Sequence, residues 1–305
     1  MAEPTHPETP QQEPSAPIVS VLMVSFNCIE ALRTSLSALE SAPDRAEFEI
    51  LVTDHGSTDG SQLIDTEFPE INVLRLPHFC GQTKARNIGL RTARGEFVLL
   101  LAPGIVLDPG AVTALAHRLE SEAGVLAVCP TIAGADGKVV SRQLALPDAT
   151  AAARSWRDPQ AELGAGTGLH DGHAILLRRR TIQGINYLDE RYGEAWGDVE
   201  LAFQIRRAGK KILQVADIGG RIGIPEGAWK PSDSRYRAAF DADAANGAAS
   251  YIGKHFGLIP ALVFRIKLIL GAFGKTITFQ NPGYQVSLLS RLVSGYKIDG
   301  TSPEL

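Results

Sequence analysis

The sequence predicts a mostly parallel α/β sheet with helices on both faces, followed by a largely helical C-terminal extension. Three observations carry that prediction. Apolar, β-branched runs alternate with helical-period segments from residue 18 to about 129, the order that builds parallel sheets through crossover helices. One of those runs, residues 96–101, is almost wholly apolar, as a strand covered on both faces must be. The last quarter then changes character, with no Asp or Glu between residues 244 and 298.

Taken in order, residues 18–24 read as a buried strand from their length and β-branched content. Asn27 stands three residues before Glu30, an approximate capping box, and Leu32, Leu36 and Leu39 follow at helical spacing. Residues 48–53 form a second strand ending at Asp54, with a Gly/Ser/Asp turn and a short helix over 61–68 behind it. A third strand covers 72–76, a helix 82–93, and the central strand 96–101. Asp108-Pro109 reads as a helix start, cap then proline, with that helix running to about 121 and a strand at 125–129. Beyond Pro130 the rhythm changes: a hairpin turn at 135–138, a flexible polar stretch over 147–168, a strand at 174–177, a helix at 198–208 and a last core strand at 212–216. Residues 219–231, rich in glycine, read as a mobile loop.

Composition excludes several classes. The 305 residues suit one large α/β domain, and a formal net charge of -4 sets up no field for holding nucleic acid. Cys28, Cys80 and Cys129 are dispersed and include no CxxC pair, which implies buried thiols in a reducing cytoplasm rather than disulfides or a zinc knot. Residues 1–17 are rich in Pro, Glu and Thr and read as a disordered tail, not a secretory signal. The first strand-to-helix loop, Ser25-Phe26-Asn27-Cys28, holds no GxGxxG, and no GxxxxGK[ST] loop occurs anywhere, so neither a dinucleotide grip nor an ATPase or GTPase loop is present.

The chemistry concentrates in five segments: residues 19–27 (VSVLMVSFN), 52–61 (VTDHGSTDGS), 84–89 (KARNIG), 184–190 (GINYLDE) and 196–202 (WGDVELA). Read alone, Asp54 is a carboxylate at the C-terminal tip of a parallel strand, facing the crevice where open sheets bind ligands, or else the cap of the turn 55–59. Lys84 and Arg86, in one helical turn with Asn87, suit a diphosphate or simply a solvated helix face. Asp198 is placed either to take a proton or to cap its helix. Asp59 reads as a turn or helix cap.

In their order and spacing the five segments resemble glycosyltransferase family 2, the inverting enzymes with a GT-A fold, over residues 18–218. The resemblance implies a GT-A-like domain over 18–232 between the tail and a basic-apolar extension over 233–305. It implies that Asp54 contacts the base of a nucleoside-diphosphate-sugar, that Ser25, Phe26 and Asn27 flank the nucleoside, and that Arg86 and Asn87 order the surrounding loop. Asp198 matches the second letter of the family's E-D acid pair and is the expected catalytic base; the first letter is Gly197, and Glu200 stands where a further acid is common.

Two positions depart from the family pattern. The central strand runs into Ala102-Pro103-Gly104 where members carry a D-x-D-like triplet, so no side-chain oxygen is supplied there for Mg²⁺ or Mn²⁺. Arg221 stands near the place of a second metal ligand, a histidine. No metal ligands and no firm cofactor are therefore expected; Arg221, with Lys84 or Arg86, would offset diphosphate charge instead, or the site has ceased to turn over. The expected function is inverting sugar transfer to a saccharide, lipid-linked or protein acceptor, in polysaccharide biosynthesis. The alternatives are a non-catalytic GT-A-like binding module and, less well supported, a nucleotidyltransferase. His170 and His173 read as hydrogen-bonding loop residues, and Trp156 and Trp196 as sugar-stacking surfaces or covers for the core edge.

Within 244–298, residues 258–273 are strongly apolar but broken by Arg265 and Lys267. Such a segment suits the surface of an anionic membrane, which places the protein on the inner face of the cytoplasmic membrane, or packing on the domain or a second subunit. The expected partners are thus a nucleotide-sugar, an acceptor, and a membrane surface or homodimer, without nucleic acid.

Overall fold

The structure, a computed structural model, describes residues 16–159, 163–170, 172–224 and 234–300; the expected tail falls outside them except for its last two residues. The sheet has eight strands: β1 (Val19–Ser25), β2 (Phe48–His55), β3 (Asn72–Leu76), β4 (Phe97–Leu101), β5 (Ile105–Leu107), β6 (Val125–Ala133), β9 (Ala174–Arg178) and β10 (Lys211–Ile222). β7 (Gln143–Leu144) and β8 (Leu169–His170) form a separate antiparallel pair. The order in the large sheet is β3-β2-β1-β4-β9-β6-β10-β5. β2 and β4 flank β1 in parallel, while β9 enters antiparallel between β4 and β6, and β5 pairs antiparallel with β10.

Successive strand residues point to opposite faces, and both faces here are dry. On one, Val21, Ile50 and Leu99 meet Leu32 and Leu36 of α1 (Ile29–Glu40) and Leu115 and Leu119 of α3 (Ala111–Ser121). On the other, Leu22, Leu51, Val98 and Leu100 meet Leu90 of α2 (Gln82–Thr92), Ile182 of α5 (Arg179–Gly184) and Ile205 of α6 (Gly197–Arg207). Gly89 lets α2 lie close on this face: a Cβ there would stand 2.3 Å from a Leu22 methyl and 2.8 Å from the Thr53 hydroxyl.

The extension is helical, as expected: α7 (Ser234–Phe256), α8 (Leu258–Ile277) and α9 (Pro282–Ser294). α7 carries a stripe of buried alanines, among them Ala238, Ala242, Ala245 and Ala249, which belong to the same apolar core as the second sheet face. Tyr251 donates its hydroxyl to the Pro147 carbonyl at 3.1 Å, fastening α7 beside α4 (Ala149–Arg154).

Four expectations change. The Asn27–Glu30 capping box does not form: Asn27 sits at φ 47, and the first N–H of α1, on Ile29, instead donates to Asp59 at 2.9 Å. Asp108 does not cap α3, which begins after a left-handed Gly110. The stretch 147–168 contains α4, where Asp148 accepts from the Ala151 N–H at 2.8 Å, and the described part of 219–231 opens as strand, because β10 resumes pairing at Gly219 after a register shift. Residues 160–162 and 225–231 of those stretches lie outside the described residues.

Candidate functional site

The carboxyl edge of the sheet carries two constellations. The first is local. Ser25 and Asp54 end neighbouring strands and are register partners. The loops beyond them are tied together: the Asn27 N–H donates to Ser57 Oγ at 2.9 Å, and Asn27 Oδ1 accepts from the Thr58 N–H at 2.8 Å. Asp59 joins both loops, accepting from Ser61 N–H at 3.0 Å as well as from Ile29; its expected capping role holds in this form. Asp54 is buried, and its Oδ1 accepts from Ser57 N–H at 3.1 Å and Gly56 N–H at 3.3 Å. Its other oxygen, Oδ2, is buried without a hydrogen bond among the described residues. An acceptor left in that state costs free energy until something donates to it.

Phe26 opens an aromatic group beside this pair. Its ring lies 4.4 Å from Phe79 and 5.4 Å from His55, centroid to centroid. Burial pushes His55 down to about 3, so the imidazole is neutral at physiological pH, and its Nδ1 faces the Cys80 N–H at 3.4 Å. Burial also raises the Cys80 thiol, to about 11.

The second constellation is assembled from remote parts. A cleft of about 450 Å³ is bounded by the start of α2 (Gln82, Thr83, Arg86), by Ala102 just beyond β4, by Gly172 and His173, and by the stretch from Glu194 to Val199. Arg86 Nη1 and Asp198 Oδ1 meet in its wall at 2.5 Å, both largely shielded from solvent. Asp198 occupies the second position of α6 rather than its cap; the cap is Trp196, at φ 73. That residue and Trp156 are buried, and the Trp196 indole N–H donates to the Trp156 carbonyl at 3.0 Å, so the pair covers the core edge and leaves only part of Trp196 to the cleft.

Asn87 ties α2 to the approach to α6: its amide donates to the Leu188 carbonyl at 2.9 Å and to Glu190 at 2.8 Å, and its oxygen accepts from the Leu188 N–H. Glu200 is not presented to the cleft. It is buried and accepts from Tyr192 Oη, Gln204 Nε2 and Lys254 Nζ, with His255 Nε2 at 2.7 Å. Burial works against its charge, but the hydrogen bonds from His255, Lys254, Gln204 and Tyr192 outweigh it and hold the carboxyl below its ordinary range. Two other predicted residues stand apart from both constellations. Lys84 donates to the Asp299 carbonyl at 2.8 Å, and Arg221 is exposed on β10 opposite Val106, outside the cleft walls. His170 binds its own loop through the Gly172 N–H at 3.0 Å; His173 lines the cleft.

Sequence reasoning missed an acid in that wall. Glu194 accepts from the Gln82 N–H at 2.9 Å. Burial, with the negative Asp243 beside it, pushes its carboxyl up to about 7. Asp243, on α7, accepts from Ile298, Glu194 and Ala195 N–H groups; burial still pushes it up to about 6. Gly193 leaves room for this arrangement, since a Cβ there would stand 2.1 Å from Asp243 Oδ1. Nothing in the local sequence separates Glu194 from a surface acid; only the return of α7 and the 298 segment shields it.

The end of β4 supplies no side-chain oxygen for a hard divalent cation. Ala102 and its two successors bring no carboxylate to the cleft, and no group of three His, Cys, Asp or Glu side chains able to hold a metal occurs among the described residues.

Comparison with known proteins agrees with the architecture. The family model for glycosyl transferase family 2 matches residues 20–185. An N-acetylglucosaminyltransferase of Mesorhizobium japonicum is 30% identical over 128 residues, 39% of this chain but only 30% of that protein's length. Among solved structures, the mannosyltransferase PcManGT from Pyrobaculum calidifontis, in complex with GDP-Man and Mn²⁺, superposes with a TM-score of 0.52 at 16% identity, covering 93% of this chain and 88% of that one. TarS from S. aureus in complex with UDP gives 0.51 at 17% identity, over 91% and 83%. The expected GT-A-like fold is thereby borne out.

Proposed function

The chain belongs to glycosyl transferase family 2, and from that premise we propose that it transfers a sugar, with inversion, from a nucleoside-diphosphate-sugar to an acceptor hydroxyl. The observation that carries this reading is the Arg86–Asp198 pair in the wall of the cleft. In the step proposed, the acceptor oxygen attacks the anomeric carbon from the face opposite the diphosphate. The bond from that carbon to the diphosphate oxygen breaks, and the acceptor proton passes to the Asp198 carboxylate. The departing nucleoside diphosphate carries the electron pair, and Arg86 is the cation placed to meet its charge while orienting Asp198.

On the nucleotide side, Asp54 Oδ2 is the buried acceptor awaiting an N–H, which suits the edge of a base; the loop Ser25, Phe26 and Asn27 would flank the nucleoside. Lys84 is assigned to hold the 299 segment and Arg221 lies outside the cleft walls, so neither carries the diphosphate in this reading. Because the donors around Ala102 do not fit a cation, turnover should not need one, although PcManGT was solved with Mn²⁺. UDP-GlcNAc is the first donor to try, since the Mesorhizobium relative is an N-acetylglucosaminyltransferase and TarS was also solved with UDP-GlcNAc.

The test is transfer from UDP-, GDP- and dTDP-sugars to saccharide and lipid-linked acceptors, with EDTA and with Mn²⁺. Turnover that survives EDTA supports the proposal. Activity that vanishes with EDTA and returns with Mn²⁺ refutes the metal-free version. The triplet Ala102-Pro103-Gly104 favours one other reading, a sugar-nucleotide-binding module: nucleotide binding with wild type and Asp198→Asn equally inert on every acceptor would establish it.

A further inference from the structure

The largest feature that sugar transfer leaves unused is the outward side of α8. Its inward stripe, Ala261, Phe264, Leu268 and Ala272, packs with the neighbouring extension helices. An amphipathic helix would turn polar residues to solvent on the other side. Here the outer side is apolar as well: Leu262, Val263, Ile266, Leu270, Phe273 and Ile277 are all exposed. Leu258, the first residue of the helix, at 78% and Phe279, two residues beyond its last, at 82% relative exposure carry exposed apolar side chains to both ends, and Val286 and Val293 of the neighbouring α9 are exposed as well. A contiguous apolar surface of this extent marks an interaction site.

Charge distinguishes between occupants. Six Lys and Arg residues and no Asp or Glu lie between residues 244 and 298. Lys267 and Lys275 of α8 are exposed without an acidic partner among the described residues; by helical phase Lys267 flanks the apolar side, while Lys275 falls on the side of Phe264 and Leu268, close to the helix end. A symmetric contact with a second copy would set this basic surface against itself with no local acid to offset it. An anionic bilayer satisfies both features: hydrocarbon takes the leucine, isoleucine and phenylalanine side chains, and headgroup phosphates take the lysine ammonium groups at the ends of their flexible stems. No described helix is long and apolar enough to cross a membrane, so the contact is lateral. The 20 residues of α8 form a rod about 30 Å long.

We propose that the outer face of α8, with the adjoining edge of α9, docks flat on an anionic lipid surface. This inference stands apart from the transfer reaction and is tested without it. Full-length protein is floated with phosphatidylcholine vesicles and with vesicles containing phosphatidylglycerol, and its mass is measured by sedimentation in parallel. Wild type should float with the anionic vesicles and release as salt rises. Lys267→Gln should weaken that binding about fivefold, the scale of one basic residue near an anionic surface, and Lys275→Gln by less. Leu270→Ser with Phe273→Ser changes only exposed positions and should abolish flotation while the melting transition stays in place.

Three outcomes would overturn the proposal: no flotation with either vesicle, equal flotation with both, or flotation unchanged by the serine variant. A dimer that the serine variant dissociates, without lipid binding, would assign the face to a second copy instead.

Discussion

Asp54 and Asp198 both stand at the carboxyl edge of the sheet, yet the molecule builds them in opposite ways. Asp54 is set by its own neighbourhood: a strand ends, the chain turns at Gly56, and N–H groups two and three residues later fix one carboxylate oxygen. Asp198 depends on an arginine 112 positions earlier in the chain. The helix it rides is further braced through Glu200 by Lys254 and His255 of α7, and the loop before it by Asp243. A nucleotide-binding half made this way should tolerate changes in the C-terminal extension. The half that carries the proposed chemistry should not.

The sharpest way to break that comparison is to remove each carboxylate by itself. Asp198→Asn should lower the transfer rate by about 10²–10⁴-fold, the range for a general base. It should not weaken the affinity for nucleoside diphosphate, because Arg86 keeps its charge and loses the carboxylate that competes for it, as calorimetric titration would show. A parallel loss of nucleotide affinity would mean that the two constellations act as one. The next largest effect is expected from Glu200→Ala, which takes the shared buried acceptor from Tyr192, Gln204 and His255, while Lys254 keeps Asp189 at 2.9 Å. Leaving a buried donor unsatisfied costs about 1–3 kcal/mol, read as a lowered denaturant midpoint. Since α7 and α6 are joined there, transfer should fall at temperatures where nucleotide binding persists.

Asp54→Asn is the smaller and more selective change. The amide oxygen can still accept from Gly56 and Ser57, so the turn survives, but the open acceptor becomes a donor. Nucleotide affinity should drop by about 1–3 kcal/mol, the scale of one buried hydrogen bond left unmade, with the melting transition unaltered. An unchanged Kd would reduce Asp54 to a turn-forming residue.

The same contrast explains what could be read from the sequence. The strand and helix order, the Asp54 turn and the role of Asp59 were legible because they follow from spacing within a few residues. The pairing of Arg86 with Asp198, the burial of Glu200 and the capture of Lys84 by the Asp299 carbonyl were not, since each joins segments far apart in the chain. Glu200 is the clearest case: its place matches one where the family often has a further acid, but α7 covers it and consumes its hydrogen-bonding capacity. Asp108 misled for a different reason, because a left-handed glycine two residues on starts α3 without a side-chain cap.

Glu194 offers the finest test, because it lies in the cleft wall and answers to α7 at once. Its carboxyl ionises near 4.5 ordinarily and near 7 in the folded protein. Between those values an unfolded chain has released a proton that the folded one retains, so folding stability declines as pH rises across the window. Asp243 adds a decline of the same sign between its ordinary 3.8 and about 6. His55, held down to about 3 by burial, works the other way below its ordinary 6.5, so the decline is read between pH 6.5 and pH 8, where the wild-type melting temperature should fall as pH rises. Glu194→Gln keeps an oxygen for the Gln82 N–H but cannot ionise. It should flatten the part of the profile above pH 6 and gain on the order of 1 kcal/mol over wild type at pH 8, since a tenfold change in proton affinity corresponds to about 1.4 kcal/mol before solvent relaxation. Parallel melting profiles for the two proteins would show that Glu194 is already ionised in the fold. The remote shielding by α7 would then be looser than the contacts of Asp243 imply, and the contrast between the two halves of the site would be correspondingly weaker.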